Sequence, residues 1–308
     1  MQNDRNARLA RALISLEGLS VGDGLGERFF FRGTQAHLMI ARRELPPRRW
    51  DYTDDTRLAL SIVAILHEYD AIEQDALALH FGRLYAEEPQ RGYGPAMRGL
   101  LADIHLGESW RVAAPALFGG KGSFGNGAAM RIAPLGAYFA DDVERAASEA
   151  ERSAVVTHAH PEAAAGAIAV AVAAATAVRW REEGIDQGWR AFIDAVLAYV
   201  PASQTRDGIQ AARDLPEDAG VDEAVAKLGN GDQISAQDTA PFVLWCAAQH
   251  LGDFEGAIWT TLAGEGDIDT NAAMVGGIIA PAVGLEGIPA AWLAAREPLP
   301  DWLPKPSV

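Results

Sequence analysis

Along most of the chain apolar residues return every three or four positions, the period of a helix with one buried face. Leu58, Ile62, Ile65, Leu66 and Tyr69 keep this spacing, and Ile14, Leu16, Leu19 and Val21 form an earlier stripe that leads into a glycine cluster. No series of alternating apolar and polar runs, as a sheet would require, interrupts it. The pattern predicts an all-α fold, a compact orthogonal helical bundle in a single domain over residues 1–308. From Ala163 onward the chain is so rich in alanine that neighbouring helices can approach closely, and Ala272, Ala273, Gly276, Gly277 and Ala280 offer a second small face. Breaks are predicted at Arg42 to Arg49, at Arg91 to Pro95, at Phe118 to Gly127 and around Leu228 to Gly231. None has the length or bias of an interdomain linker, and no repeat of roughly 20 to 50 residues is apparent. Between Arg206 and Lys227 acidic and basic residues mix, which predicts an exposed helical face.

Composition narrows the partners. With 308 residues, 49% of them hydrophobic, the chain can bury a large core. Lys and Arg total 26 against 42 Asp and Glu, a net charge of -16. Stable nucleic-acid or anionic-membrane binding is not expected of such a surface, because those partners are held by cations. Cys246, the single cysteine, cannot close an internal disulfide and follows Phe242-Val243-Leu244-Trp245, the setting of a packing residue. Early apolar residues are interleaved with Arg5, Arg8, Arg11 and Glu17 rather than gathered as in a signal peptide. The uncharged stretch Ala163 to Val178 falls short of the roughly 18 to 20 strongly apolar residues of a membrane span and reads as a buried helix. A reducing, cytoplasmic setting is the expectation.

Two carboxylate motifs carry the chemistry. Thr53-Asp54-Asp55-Thr56 and Asp267-Ile268-Asp269-Thr270-Asn271 each put two acids and a threonine hydroxyl at the predicted start of an apolar helix. Four carboxylates in one low-dielectric site repel one another unless protons or divalent cations compensate. Hard oxygen ligands suit magnesium, calcium or manganese better than zinc, so the reading is a binuclear metal site in a central cleft.

Glycine-rich stretches need separate treatment. Gly22-Asp23-Gly24-Leu25-Gly26 lacks the Rossmann spacing and follows a helical pattern, and around Gly120-Lys121-Gly122 the phosphate-loop signature fails at both Pro115 and Gly122. What survives is Gly119 to Gly127, whose backbone amides could surround a pyrophosphate with Ser123 and Asn126 adding polar contacts. A tight structural turn is the competing account. His158 and His160 have a zinc-like spacing but no cysteine cluster or third histidine beside them, which favours a helix start, with an imidazole donating to a ligand or to the backbone.

Taken together, the motifs resemble those of the ADP-ribosylglycohydrolase family, of the dinitrogenase-reductase-activating type. Gly18 to Gly26, Tyr52 to Thr56, Gly125 to Arg131, Thr157 to Pro161 and Gly264 to Ala272 match its motifs in order, over about residues 16–292. The resemblance implies an all-helical hydrolase with two Mg2+ ions, replaceable by Mn2+, that binds ADP-ribose and cleaves its ribosyl bond to a modified acceptor. It implies that Thr53, Asp54 and Asp55 hold one ion together with Asp269, and that Asp267, Asp269 and Thr270 hold the other. Ser123, Phe124, Gly125 and Asn126, with Gly127, Met130 and Asp23, would line the substrate path, and His158 would reach the phosphates. An oxocarbenium-like transition state needs a carboxylate to take the proton of the attacking water, and Asp55 and Asp267 are the candidates. Some metal-dependent members carry a glutamate seven residues after the first-motif aspartate; here that position is Phe30, with Glu27 four residues after Asp23. The alternative to turnover is an ADP-ribose-binding module, and a third reading is a structural protein with a stabilising cation.

Overall fold

The computed structural model describes residues 2–30 and 33–304. Among them are sixteen α-helices, two 3-10 turns and no strand, the all-α architecture that the hydrophobic period predicts. One continuous apolar core runs from Leu9 to Ala295.

At its centre the helix Gln2–Glu27 lies against Ile268–Val283. Their contact is made by glycine and alanine on both sides. A Cβ on Gly18 would sit 2.3 Å from Cβ of Ala280, one on Gly22 2.0 Å from the Ala272 carbonyl oxygen, and one on Gly26 2.5 Å from Cα of Asp269. Glycines four residues apart thus form a smooth stripe on one helix face. The first glycine cluster is therefore helix interior, and its missing side chains let Asp23 approach the second acidic motif.

The alanine-rich segment is longer than its uncharged part. It forms Pro161–Glu183, whose 23 residues and mean hydropathy of 1.6 meet the length and composition of a membrane span, yet 94% of that window is buried inside the protein. The helix is a core element whose small side chains admit neighbours on every side. Its start is capped by His160, whose Nδ1 accepts the Glu162 N–H at 3.2 Å. The imidazole accepts here rather than donates, because the first turn of a helix presents orphan N–H groups. Cys246 is fully buried, and burial raises its thiol pKa, as suits a packing residue. Between 204 and 228 two helices, Gln204–Arg213 and Val221–Leu228, present a charged outer face over buried Ile209, Ala212 and Ala224.

Candidate functional site

Both acidic motifs begin helices, Asp54–Tyr69 and Ile268–Val283, and in neither does the N-cap side chain accept a backbone N–H of its own helix. The first is capped from another helix. Asp23 accepts hydrogen bonds from the backbone N–H groups of Thr53 and Thr56, both at 3.0 Å, and from their hydroxyls at 2.9 and 2.5 Å. A carboxylate at a helix N-terminus is favoured by the orphan donors and the dipole.

This cap brings acids together. One carboxylate oxygen from each of Asp23, Asp55 and Asp269 lies within 4.8 Å of the others, and all three residues are buried. Thr53 Oγ1 stands 2.9 Å from Asp23 and 3.0 Å from Asp55, with a single proton to share between them. Oδ1 of Asp55 and Oδ1 of Asp269 are buried without a hydrogen-bond partner among the described residues. Such orphaned oxygens are costly unless a cation or proton meets them.

The titration of the cluster reflects this. Burial first, then hydrogen bonding against it, leaves Asp23 at about 6. Burial and the charge of Asp23 push Asp54 up to about 8. Burial, then Asp23 and Asp269, hold Asp55 well above the usual carboxylate range, and burial, then Asp267 and Asp23, do the same to Asp269. Asp267 is raised as well, chiefly by burial. Oxygen donors, orphaned lone pairs and mutual repulsion fit a hard divalent cation.

Above the acids opens a cleft of about 640 Å³. Thr53, Asp54, Asp55, Asp267, Asp269 and Thr270 line its floor, and Ser123, Phe124, Gly125, Asn126, Gly127, Met130 and His158 line its wall. Every residue expected at the site except Asp23 faces this one space. Asp23 is fully buried beneath it, acting on the first-motif helix and on its acidic neighbours.

Within the wall, Phe124 is 43% exposed, and its carbonyl accepts the Ala236 N–H, tying the loop to the start of a further helix. Ser123 Oγ accepts the Gly125 N–H at 3.2 Å. Asn126 does something the sequence does not reveal: its Nδ2 donates to Asp267 at 2.6 Å and to Thr239 Oγ1 at 3.2 Å. Its amide group holds an acid of the second motif in place. Burial and the nearby Arg131 charge hold His158 down at about 3, a neutral imidazole.

Phe118 and Ile234 are cleft residues that sequence reasoning does not single out. Phe118 is 57% exposed with its ring 6.2 Å from that of Phe124, and Ile234, next to the Ser235 that bridges Gly125, is 64% exposed and also lines the cleft. Both have left-handed backbones, φ 52° and 50°, which turn an apolar side chain outward against the helical pattern. Glu27 and Phe30, at the end of the first helix, also reach the cleft. A burial- and Asp23-raised pKa marks Glu27 as part of the acidic field. Glu27 lies one helical turn beyond Asp23, the four-residue spacing noted in the sequence.

Comparison with known proteins agrees with this geometry. The family model described as ADP-ribosylglycohydrolase matches residues 4–305. ADP-ribosylhydrolase ARH3 of Bos taurus is 28% identical over 274 residues, covering 80% of this chain and 74% of that protein. Its counterpart from Xenopus tropicalis is 29% identical over 340 residues, covering 96% and 93%. A solved structure described as an ADP-ribosylglycohydrolase-related protein complex superimposes with a TM-score of 0.66 at 25% identity, over 94% of this chain and 93% of its own. A family match over nearly the whole length, on a fold with the same helical architecture, makes this chain a member of the ADP-ribosylglycohydrolase family.

Proposed function

We propose that the protein is a magnesium-dependent hydrolase that releases ADP-ribose from a modified acceptor, a protein side chain such as arginine or serine or another ADP-ribosylated group. One observation carries this reading: a buried acidic cluster with orphaned oxygens and a glycine-rich, aromatic wall share a single cleft. The relatives reported above are named ADP-ribosylhydrolases.

Thr53, Asp54 and Asp55 with Asp269, and Asp267 with Asp269 and Thr270, are the residues that would hold two Mg2+ ions, Asp269 serving both. Bound there, the ions would orient ribose hydroxyls and lower the pKa of a water. The chain's own groups supply the rest. Exposed faces of Phe118 and Phe124 stack on the adenine base, since a π-face accepts any base without a hydrogen-bond code. Backbone amides of the 122–127 turn and the Ser123 hydroxyl meet the diphosphate. The proton of the attacking water passes to a carboxylate, Asp55 or Asp267, both of which line the cleft floor. Of the two, Asp267 has one oxygen tethered by Asn126, which fixes its orientation. Water adds to the anomeric carbon of the ribose, and the acceptor leaves with its bonding electron pair and regains a proton.

Free ADP-ribose release from arginine-, serine- and nucleic-acid-linked substrates, with Mg2+ and with chelator, tests the proposal. Metal-dependent release from at least one linkage is expected. Tight ADP-ribose binding with no release from any would instead identify a binding module, and no binding at all would remove the assignment.

A further inference from the structure

Behind the cleft wall lies a buried chain of three side chains that the reaction itself does not require. Arg131 and Thr157 are fully buried and His158 is 3% exposed. Nη2 of Arg131 donates to Thr157 Oγ1 at 2.8 Å and to the Ser153 carbonyl at 3.2 Å, while the guanidinium stacks 4.4 Å from the ring centre of Phe81. Thr157 Oγ1 stands 2.8 Å from His158 Nδ1. We propose that Arg131 and Thr157 fix His158 in its neutral, Nε2-protonated form, so that a permanent N–H donor faces the anionic part of the substrate. The identity of that anion rests on the proposed function; the tautomer does not.

The assignment follows from counting donors and acceptors. A guanidinium only donates, so the Thr157 oxygen accepts from Arg131. The second contact then has two versions. If Nδ1 carried the proton it would donate to Thr157, and the threonine's own hydroxyl proton would be left without an acceptor among the described residues, in a fully buried place. Burying an unsatisfied donor is the costlier state. When Thr157 donates to Nδ1 instead, the threonine hydroxyl and Nδ1 are both satisfied and the ring proton must sit on Nε2; Nε and Nη1 of Arg131 have no partner among the described residues in either version, so they do not affect the choice. Cationic imidazolium is opposed too, because burial and the adjacent Arg131 charge both disfavour it.

The loop is shaped to leave Nε2 open to the cleft. A Cβ on Gly127 would come within 2.9 Å of Nε2, and one on Gly125 within 3.3 Å. Glycine at both positions lets the imidazole edge reach the space that Ser123 and Phe124 border. Arg131 does not line the cleft; it acts on His158 through its hydrogen bond to Thr157 and through its charge. It is a positioning residue, and so is Thr157.

The test reads the ring directly. In 15N-labelled, ligand-free protein at neutral pH, two-bond 15N–1H correlations should give His158 a protonated, pyrrole-like Nε2 and an unprotonated, pyridine-like Nδ1. The signals are assigned among the 7 histidines by their loss in His158→Gln. A protonated Nδ1, averaged nitrogens or an imidazolium would overturn the proposal. Thr157→Val removes the hydroxyl at nearly constant volume. It should shift the Nδ1 resonance and weaken ADP-ribose binding about tenfold, the usual order for one hydrogen bond to a charged group, and Thr157→Ser should restore both. An unchanged His158 spectrum in Thr157→Val, or unchanged affinity despite a changed spectrum, would also overturn it. Should Thr157→Val fail to fold, the wild-type and Thr157→Ser spectra still decide the tautomer. A wild type that binds no ADP-ribose contradicts the proposed function alone, because the ring is read without ligand.

Discussion

Asp23 and Glu162 do the same structural work in different parts of the molecule, and their titration differs in sign. Each is a carboxylate that caps a helix belonging to another stretch of chain. Asp23 accepts from Thr53 and Thr56 at the start of Asp54–Tyr69; Glu162 accepts from the N–H groups of Gln204 and Thr205, both at 2.8 Å, and from the Thr205 hydroxyl at 2.7 Å. Burial raises both, but at Glu162 the hydrogen bonds win and the pKa is lowered, whereas at Asp23 burial wins and it stands at about 6. Glu162 is an isolated charge used fully by the fold. Asp23 is surrounded by Asp54, Asp55 and Asp269, whose pKa values it raises and whose charges no cap employs. The cleft floor thus holds more negative charge than folding needs, and that excess is what a divalent cation would compensate.

The largest effect should come from removing a surplus charge. Asp269→Asn keeps the volume but loses the carboxylate proposed to serve both metal ions, so turnover should fall at least about a hundredfold, the rate equivalent of losing about 2.7 kcal/mol of metal-assisted stabilisation. The metal-free variant should at the same time melt higher than the metal-free wild type, because one buried repulsive charge is gone. Thermal melting with chelator, alongside ADP-ribose release, separates the two outcomes. A variant that is less stable yet still active would mean that Asp269 belongs to the fold and not to the site.

How far this floor is legible in the sequence depends on the range of each interaction. Helix starts at Asp54 and Ile268 follow from local pattern, and the acids and loop residues expected at the site do share one cleft. The caps by Asp23 and Glu162 do not follow, because their partners lie 30 to 43 residues away and nothing in helical periodicity selects them. Asn126 reads as a phosphate contact, yet it bonds Asp267 across 141 residues. Phe118 and Ile234 escape for a different reason: a left-handed backbone at a non-glycine residue is set by the surrounding loop and reverses the direction that the pattern assigns.

A paired substitution sharpens the contrast itself. Glu162→Gln loses a charged acceptor of three hydrogen bonds and should cost about 1 to 2 kcal/mol whether or not metal is present. Because the Glu162 pKa is lowered on folding, that stability exists above its ordinary value near 4.5 and disappears as pH falls through the folded value, so the deficit of the variant should shrink in acid. Asp23→Asn loses hydrogen bonds too but relieves its neighbours. It should cost the metal-free protein less than Glu162→Gln does, and it should weaken the response to Mg2+. Urea melts of both variants with and without Mg2+ measure this, and equal metal-independent losses would erase the distinction.

The cleft wall offers a comparison of ligand against fold. Phe124→Ala should weaken ADP-ribose binding by about 1 to 3 kcal/mol, the range for an aromatic stacked on a base. The Mg2+-dependent rise in melting temperature should stay as it is, since Phe124 is on the wall and not among the floor carboxylates. Calorimetric titration of ADP-ribose into the folded variant decides, and unchanged affinity would reduce the loop to a structural turn.

The smallest expected effect is a shift with pH of only a few degrees, and its sign is fixed. Without metal, folded Asp23 and Asp54 keep their protons to about 6 and about 8, while unfolded aspartates release theirs near 3.8. Between these limits the folded state binds more protons, so this part of the stability is full in acid and is lost as pH rises toward 8. Magnesium competes for the same oxygens, more successfully as protons leave them, and stabilises only the folded chain. The gap in melting temperature between Mg2+-loaded and chelated protein should therefore widen from pH 5 to pH 8. His158, held at about 3, costs stability below pH 6.5, but it does so in both samples and cancels in the difference. In Asp269→Asn the gap should be small at every pH, and in Glu162→Gln it should widen as in the wild type. A gap that narrows with rising pH would show that any metal binds away from these carboxylates.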